Sequence, residues 1–208
     1  MRHMSRTETQ AHTRQRLLDS AERAFAAEGF AGASLDRIAG DAGFTRGAVY
    51  SNFADKADLF VAVLERRLER RSREIATAMR AADDPQAFVA AMRRPPVRMT
   101  EAGGQRQWHM LHNEFHLFAL RHPDAAELLA RYDRRQRDLY VKAIEYLLGQ
   151  MGVEPPGNPR LAAAILVALD EGLTRQHLVD PDDVPASAMA DAVHLLLEAA
   201  AALSSRHP

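Results

Sequence analysis

Apolar residues recur at helical spacing along nearly the whole chain, and no stretch alternates apolar and polar residues as a half-buried strand requires. Leu17, Leu18, Ala21, Ala24 and Phe25 fall on one helical face. A chain patterned this way buries its apolar faces by packing helix on helix, so the expected fold class is all-α. Punctuation residues divide it. Gly29 is expected to end the first helix. Ser34 is placed to cap a second over 35–42, which Gly43 closes, and Thr45 a third over 46–52. Asp55 is placed to cap a fourth over 56–80. Asp84-Pro85 opens a fifth, and Pro95-Pro96 stops it. Gly103-Gly104 marks a loop before a helix over 105–121; His122-Pro123 breaks the chain, and a long helix follows to 151. A connection with Pro155, Pro156 and Gly157 leads to two last helices over 159–179 and 185–204. That makes about nine helices, without an internal repeat.

Cysteine is absent, which excludes disulfide scaffolds, cysteine zinc sites, iron–sulfur clusters and thiol catalysis together. Its absence fits a reducing cytoplasm, the expected location. No apolar run approaches the ~20 residues of a membrane span, and residues 1–16 lack the apolar stretch of a signal peptide. The 27 basic and 28 acidic residues leave a net charge of -1, which excludes a protein whose whole surface is cationic. A local basic reading surface remains open.

Residues 34–53, SLDRIAGDAGFTRGAVYSNF, carry the chemistry. Two short helices flank a turn at Gly43. Leu35, Ile38, Ala39 and Val49 supply an inner face, with Ala39 small enough for a steep helix crossing. This is the spacing of a helix-turn-helix unit, whose second helix enters the DNA major groove. Thr45, Arg46, Gly47, Ala48, Ser51 and Asn52 face outward. Small residues let the backbone approach the groove, Arg46 suits a bidentate contact to guanine, and Asn52 pairs with adenine if it points inward. Ser34, Thr45 and Tyr50 bring hydroxyls to the phosphates, and Lys56, one of two lysines, brings an ammonium.

Residues 29–60 closely resemble the DNA-binding region of the tetracycline-repressor (TetR/AcrR) family of bacterial regulators. The shared positions are Ala21, Phe25, Gly29 and Phe30, the run from Ile38 to Gly43, Tyr50 with Phe53, and Lys56 with Leu59. The resemblance covers about residues 13–64. It implies that Arg46, Gly47 and Ala48 face the bases while Ser34, Thr45, Tyr50 and Lys56 hold phosphates. Ser34 stands where threonine is usual and Asn52 where histidine is frequent, so no operator sequence transfers. Residues 114–130 and 166–181 resemble the family's regulatory domain more weakly.

On the helix over 159–179, Leu161, Ile165, Leu169 and Leu173 share one face. The last helix is apolar nearly all round, with Ala192, Leu196 and Leu203 among its residues, and so needs burial on more than one side. Pairing both helices with their copies gives a two-fold four-helix interface. Trp108, His109, His112, Phe115, His116 and Phe118 form the densest aromatic and imidazole cluster. His109, His112 and His116 share a face, which admits a metal-enzyme reading, but no carboxylate or cysteine of ligand spacing reinforces it. A small-molecule pocket of Trp108, His112, Phe115, His116, Phe88 and Tyr140 is the preferred reading, beside plain core packing. Asp170 and Glu171 suit either a cationic ligand or a surface. The Arg-rich runs at 66–73 and 131–137 are interleaved with acids and read as solvated faces.

The expectation is therefore a three-helix DNA-binding domain over 1–55 and a helical ligand-binding and dimerisation domain over 56–208, linked by the helix 56–80. The partners would be a double-stranded DNA operator, a second copy and an unknown small-molecule effector. No membrane, cofactor, metal or catalytic group is expected.

Overall fold

The computed structural model describes residues 6–93, 104–154 and 157–204. The expected signals at Pro95, Pro96, Gly103, Pro155 and Pro156 lie outside the described residues. Among those described there are nine helices and no strand. They are α1 (Arg6–Gly32), α2 (Leu35–Asp41), α3 (Arg46–Tyr50), α4 (Lys56–Ala81), α5 (Pro85–Met92), α6 (Gly104–Ala119), α7 (Pro123–Gln150), α8 (Pro159–Val179) and α9 (Ala188–Ser204).

Local chemistry sets these limits. Asp55 Oδ1 accepts from the Asp58 amide at 2.8 Å at the start of α4. Asp84 does the same for the Ala87 amide at 2.8 Å, with Pro85 in the first turn where its missing N–H costs nothing. Asn158 Oδ1 accepts from the Leu161 amide at 3.1 Å, with Pro159 in the first turn of α8. Gly29 ends the regular helix as expected: its φ of 76° and ψ of 174° break the helical geometry, and one separate turn follows to Gly32. One expectation needs correction. The last helix starts at Ala188, three residues after Pro185, because 185–187 form a turn instead.

The chain divides into two compact units, and the division differs from a boundary at residue 55. One unit holds α1 to α3, α4 as far as Arg67, α6, and α7 as far as Tyr132. The other holds α4 from Leu68, α5, the rest of α7, α8 and α9. Aromatic packing explains why α6 goes with the first unit. Phe115 stands 4.9 Å from Phe30 and 4.5 Å from Phe60, ring centre to ring centre, and Phe118 stands 4.8 Å from Phe30. Phe25 meets Phe60 edge-on at 5.1 Å. Beneath them Leu17, Ala21, Ile38, Val49, Leu59 and Val63 are fully buried, as the 3.6-residue spacing requires. Truncating one of these phenylalanines to alanine costs about 3–5 kcal/mol in such a core.

In the second unit Phe88 and Val89 of α5, Leu147 of α7, and Ala190 and Val193 of α9 form the buried cluster. Tyr146 donates to the Met79 carbonyl at 2.9 Å, tying α7 to α4, and Arg93 donates to Asp191 at 2.6 Å, tying the end of α5 to α9.

Candidate nucleic-acid interface

The turn between α2 and α3 is built from backbone hydrogen bonds. Phe44 N donates to Ala39 O at 2.8 Å and Gly43 N to Gly40 O at 2.8 Å, the paired bonds of a Schellman stop. That stop puts Gly43 at φ 76°, where a side chain would be strained and its Cβ would meet the Arg16 guanidinium at 3.0 Å. Ser20 on α1, itself buried, donates to the Ile38 carbonyl at 2.9 Å and fixes α2 on α1. Ala39 and Val49 are buried at the crossing of the two short helices. The outer face of α3 is therefore held by its inner one.

On that outer face Ser34, Thr45, Arg46, Gly47 and Tyr50 are exposed, and Ala48 is half-buried. Ser34 and Thr45 stand at the N-caps of α2 and α3 with extended backbone, yet neither side chain bonds a helix amide. Their hydroxyls remain available to an external acceptor. A Cβ on Gly47 would meet only the Thr45 hydroxyl, at 3.6 Å, so glycine there keeps the face low rather than relieving strain.

Four of the expected DNA contacts, Arg46, Tyr50, Asn52 and Lys56, have partners within the chain. Arg46 donates from Nη1 to Asp36 Oδ2 at 2.9 Å and from Nη2 to the Tyr50 hydroxyl at 2.9 Å. Asn52 turns its amide back to the Ala48 carbonyl at 2.8 Å. Lys56 Nζ donates to the carbonyls of Ala31 at 3.0 Å and Ala33 at 3.2 Å, and lies 5.0 Å from the centre of the Phe30 ring. An ammonium has three donors and a guanidinium five, so both cations keep donors beyond these bonds. Arg37, the third basic residue of the head, pairs with Glu28.

The six residues expected to line a ligand pocket fall into two groups. Phe88 and Tyr140 line one cavity of the second unit, about 60 Å³ in volume, together with Arg71, Ile75, Met92 and Leu166. Tyr140 donates to Asp170 Oδ2 at 2.9 Å, and that carboxylate lies 3.7 Å from the Arg71 guanidinium. Burial, and after it the Asp170 charge, raise the Tyr140 pKa and keep the hydroxyl a donor. Trp108, His112, Phe115 and His116 belong to α6 in the first unit. Phe115 is fully buried in the aromatic core, and Trp108 lies under the Arg67 guanidinium at 3.8 Å. His112 Nε2 is buried without a hydrogen-bond partner. Burial, then the neighbouring His116 and His109, lower the His112 pKa to about 4. His116 is exposed. Among the described residues, no three of His, Asp and Glu are grouped to hold a metal ion.

The second unit also holds a larger cavity of about 520 Å³, walled by α7, α8 and α9 residues that include Leu148, Ile165, Leu196 and Ala200. Of the residues expected at a dimer interface, Leu161 and Ile165 are each 57% exposed and Leu196 49%. Leu169, Leu173 and Ala192 are half-buried, and the side chain of Leu203 lies outside the described residues. Within one chain α9 leaves Leu195 65% exposed.

Two family descriptions match the sequence in tandem. Residues 17–63 match bacterial regulatory proteins of the tetR family, and residues 102–202 match the C-terminal part of BetI-type transcriptional repressors. The chain belongs to the TetR family. Its relatives are transcription regulators, not enzymes. Over 55 residues this TetR-family chain is 51% identical to the regulator SrpR of Pseudomonas putida, a segment that is 26% of either chain. It thus matches only about a quarter of that relative's length. A TetR-family regulator from Rhodococcus sp. superposes with a TM-score of 0.70 over 90% of this chain and 99% of its own, at 19% identity. SmeT, the repressor of a Stenotrophomonas maltophilia multidrug efflux pump, superposes with a TM-score of 0.56 at 25% identity, over 85% of this chain and 84% of its own.

Sequence reading missed two residues of this TetR-type head. Asp36 was visible only as a neutralising charge, and its bond to Arg46 depends on how α2 crosses α3. Glu114 had no local signal at all, because the backbone it binds is 83 and 84 residues away.

Proposed function

We propose that the chain is a DNA-binding transcriptional regulator, a repressor that grips a two-fold symmetric operator as a homodimer and is released by a small molecule. It acts in the cytoplasm, with residues 1–55 as the reading head and 56–208 as the regulatory part. The observation that carries this reading is the outer face of α3. Arg46 and the low residues Gly47 and Ala48 stand there beside the unspent hydroxyls of Ser34 and Thr45, within the matched family segment. Tyr50 and Lys56 add phosphate contacts, and Asn52 adds little because its amide is turned inward.

The exposed leucines and isoleucine of α8 and α9 support pairing with a second copy. Pairing sets the two α3 helices one DNA turn (~34 Å) or a multiple apart. The cavity at Phe88 and Tyr140, with its Asp170 and Arg71 polar end, supports a small-molecule site. It is small as it stands, so the effector binds by favouring a wider conformation with a different spacing of the reading heads. Only the difference in its affinity for the two conformations drives release.

The test is a salt titration of binding to a duplex enriched from a random pool, with the dimer mass measured in parallel. Tyr50→Phe and Lys56→Ala should both weaken binding at unchanged mass, and Lys56→Ala, which removes a charge, should also flatten the salt slope. Unaltered affinity in both variants, with an unaltered slope in Lys56→Ala, contradicts the phosphate contacts.

A further inference from the structure

Glu114, on α6, accepts two successive backbone amides with one carboxylate. Phe30 N donates to Oε2 at 3.0 Å and Ala31 N to Oε1 at 2.8 Å. These amides open the short turn that restarts after the break at Gly29. The first N–H groups of a helical turn have no partner within it, and a carboxylate there bonds them and offsets their partial positive charge. Gly29 makes room for this contact. It sits at φ +76°, and a Cβ at that position would stand 2.8 Å from Glu114 Oε2.

The same stretch is held from its other end. Lys56 binds the carbonyls of Ala31 and Ala33. Residues 30–33 are thus gripped between a carboxylate on α6, acting on their N–H groups, and an ammonium on α4, acting on their C=O groups. Ser34 follows at once and opens α2. A shift of this stretch moves the first residue of the reading pair.

We infer that Glu114 is a positioning residue for DNA reading: through Phe30 and Ala31 it sets where α2 and α3 sit relative to α6. This rests on the proposed function and goes beyond it, since Glu114 touches no DNA itself. It predicts a specificity defect rather than a general loss of affinity, because the phosphate and base groups stay intact while their registration slips.

The test uses the full chain with Glu114→Ala and Glu114→Gln, and two duplexes: one enriched from a random pool by the unaltered chain, one unrelated. Glu114→Ala should weaken binding to the enriched duplex about tenfold, the loss of roughly one charged hydrogen bond's worth of positioning. The unrelated duplex should change less than about twofold. Glu114→Gln keeps one acceptor oxygen and should fall between. Amide exchange at Phe30 and Ala31 should quicken in the same order. Loss of stability alone would lower both affinities together and leave their ratio unmoved. An unchanged ratio in Glu114→Ala, or undisturbed exchange at both amides, overturns the inference while the enriched duplex still upholds the functional reading. Failure of the unaltered chain to enrich any duplex overturns the reading and the inference with it.

Discussion

Arg46 and Asp36 are hydrogen-bonded at 2.9 Å, so a carboxylate of α2 holds the arginine of α3. Both side chains are more than half exposed, and solvent screens such a pair so that it adds little to stability. Its consequence lies in binding. The carboxylate neutralises the cation until a guanine or phosphate displaces it, and it repels the DNA backbone. Asp36→Asn should raise affinity for unrelated duplex by about threefold or more and narrow the gap between specific and unrelated sequence. Fluorescence anisotropy with both duplexes measures this; unchanged affinity for unrelated DNA would show that the pair is electrostatically idle.

Lys56 has a structural task besides any phosphate contact. Its ammonium bonds two carbonyls of the stretch before α2 and stands over the Phe30 ring. Lys56→Met should lower the free energy of unfolding by about 1–2 kcal/mol, as expected for charge-assisted bonds at a partly exposed site. Chemical denaturation checks this. Stability within about 0.3 kcal/mol of the parent would assign Lys56 to DNA alone.

Arg66 joins three acceptor residues in the first unit. It donates to Asp19 at 2.6 Å and to the Leu18 carbonyl at 3.0 Å, and it pairs with the buried Glu22. Arg67 shares Glu22 at 2.8 Å. Arg66→Met removes one partner and leaves the Glu22 charge with less compensation. The expected cost is about 3 kcal/mol, measured by denaturant unfolding. Replacing Glu22 as well, in Arg66→Met with Glu22→Leu, should recover much of it, because no buried charge then lacks its partner. A double variant no better than the single one would refute that account.

His112 links stability to acid. Its pKa of about 4 in the folded chain lies below the unfolded value near 6.5. Above pH 6.5 the ring is neutral in both states and contributes nothing to pH dependence. As pH falls from 6.5 toward 4 the unfolded chain takes up a proton that the folded chain refuses. Stability drops across that window, by at most about 3 kcal/mol, and the drop levels off below 4. In His112→Gln this share of the loss should vanish, leaving a flatter profile between pH 6.5 and 5. A profile unchanged by the substitution would mean that His112 is not buried neutral.

Much of the fold could be read from single residues. Asp55 and Asp84 cap α4 and α5 as their positions suggest, because an N-cap acts on the next turn of its own chain. Asn158, not singled out in the sequence, caps α8 in the same way. Gly29 marked the break in α1, because a positive φ suits the end of a regular helix. What restarts the helix is Glu114, remote in sequence. The exposed outer face of α3 was legible from spacing, whereas the inward bonds of Asn52 and Lys56 depend on where neighbouring carbonyls point. The aromaticity of Phe88, Trp108, Phe115 and Tyr140 reports burial and not which unit buries them, and His116 is exposed. The near-zero net charge holds locally too: Arg46 and Arg37 are paired with acids, so under the proposed function DNA affinity would rest on placement more than on charge.

The most direct measurement is enrichment of duplex DNA from a random-sequence pool by the full chain, repeated with Arg46→Ala. The account predicts that the unaltered chain enriches one sequence with two-fold symmetry, its half-sites spaced by about one helical turn or a multiple. It also predicts that Arg46→Ala loses discrimination at one base pair in each half-site while still gripping the backbone. A pool that stays random after repeated rounds, or an enriched site read equally well without Arg46, would contradict the assignment of α3 as the helix that reads DNA.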